Sequence, residues 1–84
     1  MKYRNRIEII GQILETANGG CATKTKIVYS TFLNYSQLKE YLTILTEGGL
    51  LSYDSLTQTF KTTEKGLRFL YTYNQVNHMI KAEI

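Results

Sequence analysis

Leu33-Asn34-Tyr35-Ser36-Gln37-Leu38-Lys39-Glu40-Tyr41-Leu42, continuing through Leu45 to Glu47-Gly48-Gly49, is the stretch that decides how the whole chain is read. Several helix-start signals coincide at its head. Asn34 can accept a backbone N–H as N-cap, Gln37 completes a capping box, and Leu33 can staple against Leu38 across the first turn. Leu38, Tyr41, Leu42 and Leu45 then recur at i, i+3, i+4 and i+7, the spacing of one buried helical face, until Gly48-Gly49 stops the helix. Tyr35, Ser36, Gln37, Lys39, Glu40 and Thr43 are left on an outer face rich in hydrogen-bonding groups.

The neighbouring segments fall into place around this helix. Upstream, Ile7, Ile10, Ile13 and Leu14 form an inward stripe in a helix from Arg4 to Ala17, stopped by Asn18-Gly19-Gly20. Thr23 or Thr25 can cap a short second helix reaching Tyr29, although its β-branched residues also suit a strand. The turn into the next helix is then Ser30 to Leu33. Downstream, Leu50-Leu51-Ser52-Tyr53 and Gln58-Thr59-Phe60-Lys61-Thr62 read as two strands joined by the turn Asp54-Ser55-Leu56-Thr57. Thr63 can cap a last helix from Glu64 to about Ala82, with Leu67 and Leu70 facing inward. Phe69, Tyr73, Val76 and Ile80 make a second stripe along it, which asks for a partner and predicts a homodimer. Tyr29, Tyr41 and Tyr53 fall at positions expected to point into the core.

Composition narrows the function classes. The chain has 84 residues, 43% hydrophobic and 20% charged, which is the balance of one small globular domain. Its segment 1–62 is expected to form the core unit and 63–84 a helix that packs on it and pairs protomers. Cys21 is the only cysteine and His78 the only histidine, so no intrachain disulfide or Cys/His zinc site can form, and no metal or cofactor is expected. Cys21 reads as a small half-buried apolar residue, and His78 as solvated. No glycine-rich phosphate loop, nucleophile elbow or ligand cluster supports an enzyme, and no small-molecule ligand is evident. With no apolar run long enough for a membrane span, the expected location is the cytoplasm.

The order helix, helix, helix, hairpin, helix is mainly α with a small β-hairpin, an α+β class. A helix-turn-helix of this kind lays its second helix in the major groove of double-stranded DNA. Ser36, Gln37, Lys39, Glu40 and Thr43 are then the base-reading candidates. Arg4, Arg6, Lys24, Lys26, Asn34 and Tyr35 are the phosphate and sugar contacts. Ser55, Thr57, Gln58 and Lys61 sit on a hairpin that positions the protein with little affinity of its own. The net charge is +3, concentrated at the front: residues 1–27 hold Lys2, Arg4, Arg6, Lys24 and Lys26 against Glu8 and Glu15. Residues 28–62 hold only Lys39 and Lys61 against Glu40, Glu47 and Asp54.

The run from Leu33 to Leu42, followed by Leu45, Glu47-Gly48-Gly49-Leu50-Leu51 and Thr62-Thr63-Glu64-Lys65-Gly66-Leu67-Arg68-Phe69-Leu70, resembles the archaeal winged helix-turn-helix proteins. The first helix and Thr25-Lys26-Ile27-Val28-Tyr29 also look like that family, so the resemblance covers nearly the whole chain. It implies a winged fold, a cytoplasmic DNA-binding role and a homodimer joined through the last helix. One departure is the uncharged stretch from Asn18 to Ala22, where the family often carries lysines. Sequence-selective transcription regulation is the leading expectation. A winged-helix protein-interaction module and an architectural, nonspecific DNA-binding protein are the alternatives.

Overall fold

Each helix begins where a side chain satisfies the free N–H groups of its first turn. The computed structural model describes residues 5–20 and 22–83, and side chains as far as Val76. Arg4, Cys21 and the side chains of His78 and Ile80 therefore lie outside the described residues.

Helix α1 spans Arg6–Ala17, and the Asn5 amide oxygen accepts from the Glu8 N–H at 2.8 Å while the Glu8 carboxylate accepts from the Asn5 N–H at 3.1 Å. In α2, Lys24–Thr31, the Thr23 hydroxyl oxygen caps the Lys26 N–H at 3.1 Å, so Thr23 rather than Thr25 starts the helix. In α3, Tyr35–Glu47, Asn34 Oδ1 accepts from the Gln37 N–H at 2.7 Å, and Gln37 Oε1 accepts from the Asn34 N–H at 3.5 Å. The expected capping box is therefore present. The last helix, α4, spans Glu64–Glu83; Thr63 Oγ1 accepts from the Gly66 N–H at 3.1 Å and donates to the Gly49 carbonyl at 2.6 Å. That hydroxyl thus caps α4 and clasps it to the end of α3.

Strands β1, Leu51–Asp54, and β2, Thr59–Thr62, pair antiparallel with Leu51 opposite Thr62 and Tyr53 opposite Phe60. Ala22 adds a bridge outside the hairpin: the Phe60 N–H donates to its carbonyl at 2.7 Å and its own N–H returns to the Phe60 carbonyl at 3.3 Å. This pairing anchors the α1–α2 connection to the sheet edge.

The core is built from Ile13, Leu14 and Ala17 of α1, Ile27 of α2, Leu38, Leu42 and Leu45 of α3, with Leu33, Leu51, Phe60 and Leu70. Two buried threonines are satisfied, Thr31 donating to the Ile27 carbonyl at 2.8 Å and Thr62 to the Leu14 carbonyl at 2.7 Å.

Several inward assignments are corrected. Ile7, at the first turn of α1, is half exposed, whereas Gly11 is buried beneath the Tyr73 ring. In α2 the i, i+4 pair Ile27 and Thr31 forms the buried face, which turns Tyr29 into solvent. Tyr53 is also exposed, lying over its cross-strand partner Phe60 at the groove, and Tyr41 is only half buried. The turn between α2 and α3 is shorter than expected: α2 continues to Thr31 and the chain reverses at Phe32, which takes the left-handed conformation with φ 59°. Gln58, read as strand, also lies in that region at φ 57° and belongs to the hairpin turn.

In α4, Gly66 takes the inward position instead of Leu67, since its Cα packs against the Leu50 backbone with no room for a side chain. Leu67 is displaced to the flank. Phe69 and Tyr73 are half buried against the chain's own core, so part of the stripe assigned to a partner is already occupied. Val76 stands half exposed beyond them.

Candidate nucleic-acid interface

With Leu38, Leu42 and Leu45 held in the core, the opposite face of α3 exposes Ser36, Gln37, Lys39, Glu40 and Thr43. Local hydrogen bonds restrict two of these. The Gln37 amide oxygen serves the capping box, which leaves its NH2 group to donate outward. The Thr43 hydroxyl donates to the Lys39 carbonyl at 3.0 Å, so outward it can only accept. Ser36, Lys39, Glu40 and Thr43 share a shallow hollow with Ile44, whose half-exposed side chain gives this polar face an apolar spot.

A groove runs between α3 and the hairpin. Its walls are Lys39, Thr43, Thr46 and Glu47 on one side and Tyr53 on the other, with Lys24 at one end. It continues over the beginnings of α2 and α3 to Thr23, Tyr35, Thr57 and Gln58. Lys24 and Tyr53 line both parts. The Lys24 ammonium donates to the Tyr35 hydroxyl at 3.5 Å and stands 5.8 Å from that ring's centroid, so the two residues act as one positively charged corner. Tyr53 leans on Phe60 with ring centroids 4.8 Å apart and planes at 43°.

The groove is nearly neutral, Lys24 and Lys39 standing against Glu47. Arg6 lies elsewhere: its guanidinium carbon is 6.0 Å from the Tyr41 ring centroid. Tyr41 follows Lys39 by two residues, about 200° around the helix, so Arg6 and Lys24 flank opposite sides of α3. Lys26 is exposed on α2. Away from the groove, Tyr73 has its phenol pushed above the usual tyrosine range, first by burial and then by the charges of Glu8 and Glu15.

The winged helix-turn-helix family matches residues 3–81. This chain belongs to that family. Its α2 and α3 are the helix-turn-helix, α3 standing second in that pair, and the β1–β2 hairpin is the wing. A solved structure with the same fold is that of Sso10a-2, a DNA-binding protein from Sulfolobus solfataricus, with a TM-score of 0.77 and 23% sequence identity. The similarity covers 94% of this chain and 84% of that one. No curated protein matches the sequence.

The wing separates residues that the sequence reading grouped together. Thr57 and Gln58 reach the groove. Lys61 pairs with Ser52 on the face of the sheet turned away from Tyr53 and Phe60, and its methylenes lie along Gly20. It therefore stands apart from the groove. Asp54 uses its carboxylate to accept the Leu56 N–H at 2.9 Å, forming the turn. Tyr53, Thr46 and Ile44 are the groove and face residues that sequence reasoning missed. The alternation Leu51, Tyr53 reads inward in any strand pattern, whereas the folded chain lays the Tyr53 ring against Phe60 on the wall of the groove.

Proposed function

We propose that this protein binds double-stranded DNA with sequence selectivity, as a cytoplasmic homodimeric transcription regulator, with α3 in the major groove. The observation that carries the reading is the outer face of α3, where Ser36, Lys39 and Glu40 are exposed beside a groove bounded by the wing and the Lys24–Tyr35 corner. Lys39 donates to guanine O6 or N7, Ser36 donates or accepts, Glu40 accepts from cytosine N4, the Gln37 NH2 donates, and Thr43 accepts. Arg4, Arg6, Lys24 and Lys26 neutralise phosphates, with Asn34 and Tyr35 setting register. Because the groove is nearly neutral, these flanking cations and a second protomer supply the affinity. Sso10a-2, which shares the fold, is itself described as DNA-binding.

Electrophoretic shift of duplex DNA selected from a random pool tests this. Lys39→Ala and Ser36→Ala should each weaken binding to the selected sequence by roughly 1–3 kcal/mol while affecting random duplex less. Unchanged binding in both removes α3 as the reader. For the dimer, sedimentation of wild type and Val76→Asp should show loss of the paired species in the variant; a wild-type monomer rejects pairing through α4.

A second reading has its own observation. Tyr29, in the last turn of α2, and Phe32, at the turn after it, are 74% and 85% exposed, which suits a protein-binding module. A DNA binder that touches several phosphates weakens steeply as salt rises, whereas a flat response favours the protein partner.

A further inference from the structure

The tip of the wing carries a leucine, Leu56, that is 93% exposed. We propose that Leu56 is a wedge for the minor groove, and that the protein bends the duplex on which it sits. The inference rests on duplex DNA being the ligand, as argued above.

Three observations converge on it. First, the turn is ordered from within. The Leu56 N–H donates to Asp54 Oδ1 at 2.9 Å, the Thr57 and Thr59 hydroxyls bond each other at 2.7 Å, and Gln58 closes the turn at φ 57°. The leucine is thus presented on a preorganised turn, which limits the chain entropy lost on insertion. Second, residues 54–60 contain no lysine or arginine. The tip cannot hold DNA by neutralising phosphate, and the Asp54 charge opposes a purely electrostatic approach. What it offers is an apolar side chain flanked by the hydroxyls of Ser55 and Thr57 and the amide of Gln58. That is the chemistry by which proteins unstack a base step from the minor-groove side, with polar neighbours meeting groove acceptors.

Third, the tip is placed for it. Thr57 and Gln58 lie in the same groove as Tyr35 and Lys24 at the beginnings of α3 and α2. With α3 in the major groove, the Lys24 corner meets the intervening phosphates and the wing tip beyond it reaches the adjacent minor groove. A wedge of this type kinks DNA by roughly 20–90° toward the major groove. The kink falls most easily at pyrimidine–purine steps. Selectivity at the wing therefore comes from duplex deformability, a source separate from the hydrogen bonds of α3.

Energy transfer between dyes on the two ends of a short duplex reads the bend directly, using the full chain and duplexes with and without a central TA step. Wild type should bring the ends together, more so on the TA duplex. Leu56→Ala should bind about tenfold more weakly and leave the ends at their free separation. Leu56→Met should restore the bend. Since the side chain is exposed, circular dichroism should show all variants folded. A wild-type complex on straight DNA, or a Leu56→Ala complex bent like wild type, overturns the wedge and leaves duplex binding intact. If wild type shifts neither duplex at low salt, the DNA-binding reading falls and the wedge with it.

Discussion

Helices α3 and α4 are both amphipathic, yet they complete their apolar faces in different ways. Helix α3 places Leu38, Leu42 and Leu45 wholly within the protomer and exposes a polar face. Helix α4 commits Gly66 and Leu70 to the core, half buries Phe69 and Tyr73, and leaves Leu67, Tyr71 and Val76 largely in solvent. The leucine stripe of α3 is completed by its own fold, with Tyr35 and Ile44 as that helix's exposed large side chains. The other helix, as far as Val76, leaves part of its apolar stripe uncovered. The difference separates two arrangements: α3 is held by three leucines so that its outer face has a defined orientation, while α4 is anchored at its first turns and leaves Val76 half exposed beyond them.

The comparison can be broken most forcefully at Leu45, 1% exposed at the end of the α3 stripe. Leu45→Ala should cost roughly 2–5 kcal/mol in chemical denaturation, because it removes buried methyl groups and leaves a cavity. A loss below 1 kcal/mol would mean that the leucine stripe of α3 is not tightly packed. Next comes the anchored end of α4. A methyl group at Gly66 would collide with the Leu50 carbonyl oxygen and the Thr62 side chain, so Gly66→Ala should cost about 1–3 kcal/mol. At Gly11 the added carbon would stand 2.8 Å from the Tyr73 ring, a side chain that can move, so Gly11→Ala should cost less than Gly66→Ala. The reverse order would place the main α4 contact at Tyr73.

The α3 cap is worth less than either. Asn34→Ala should lower stability by about 1 kcal/mol, read from the same denaturation curve, since the Gln37 N–H loses its acceptor. The smallest effect is the pH dependence of the α1–α4 contact. The folded state raises the Tyr73 pKa, so it holds that proton more tightly than the unfolded chain does. The associated stability is fully present below about pH 10 and is lost as pH rises through the higher folded value. Thermal melts across that alkaline range should show a decline that Tyr73→Phe reduces, and an identical decline in the variant would assign it to other groups.

Legibility follows the range of the interaction. The Asn34–Gln37 and Thr63–Gly66 bonds span three residues each, so the residue types at those spacings announce them. The exposed face of α3 was legible for the same reason, as the complement of a leucine stripe. Leu67 and Gly66 show where this fails. Periodicity favours the larger apolar side chain as the inward one, but the inward position belongs to glycine because the Leu50 backbone comes so close. Tyr53 fails likewise, since alternation along a strand gives no sign of which core-side position borders a surface groove.

The sequence by itself determined the element order, the caps, the glycine stops and which polar residues stand on the outer face of α3, all properties written into contacts within a turn or two of helix. Only the tertiary structure decided that Lys24 joins Tyr35, that Arg6 flanks the other side of α3, that Ala22 pairs with Phe60 and that Lys61 is turned away from the groove. Those relations join residues far apart along the chain. Their geometry depends on how whole elements pack, which no local pattern encodes.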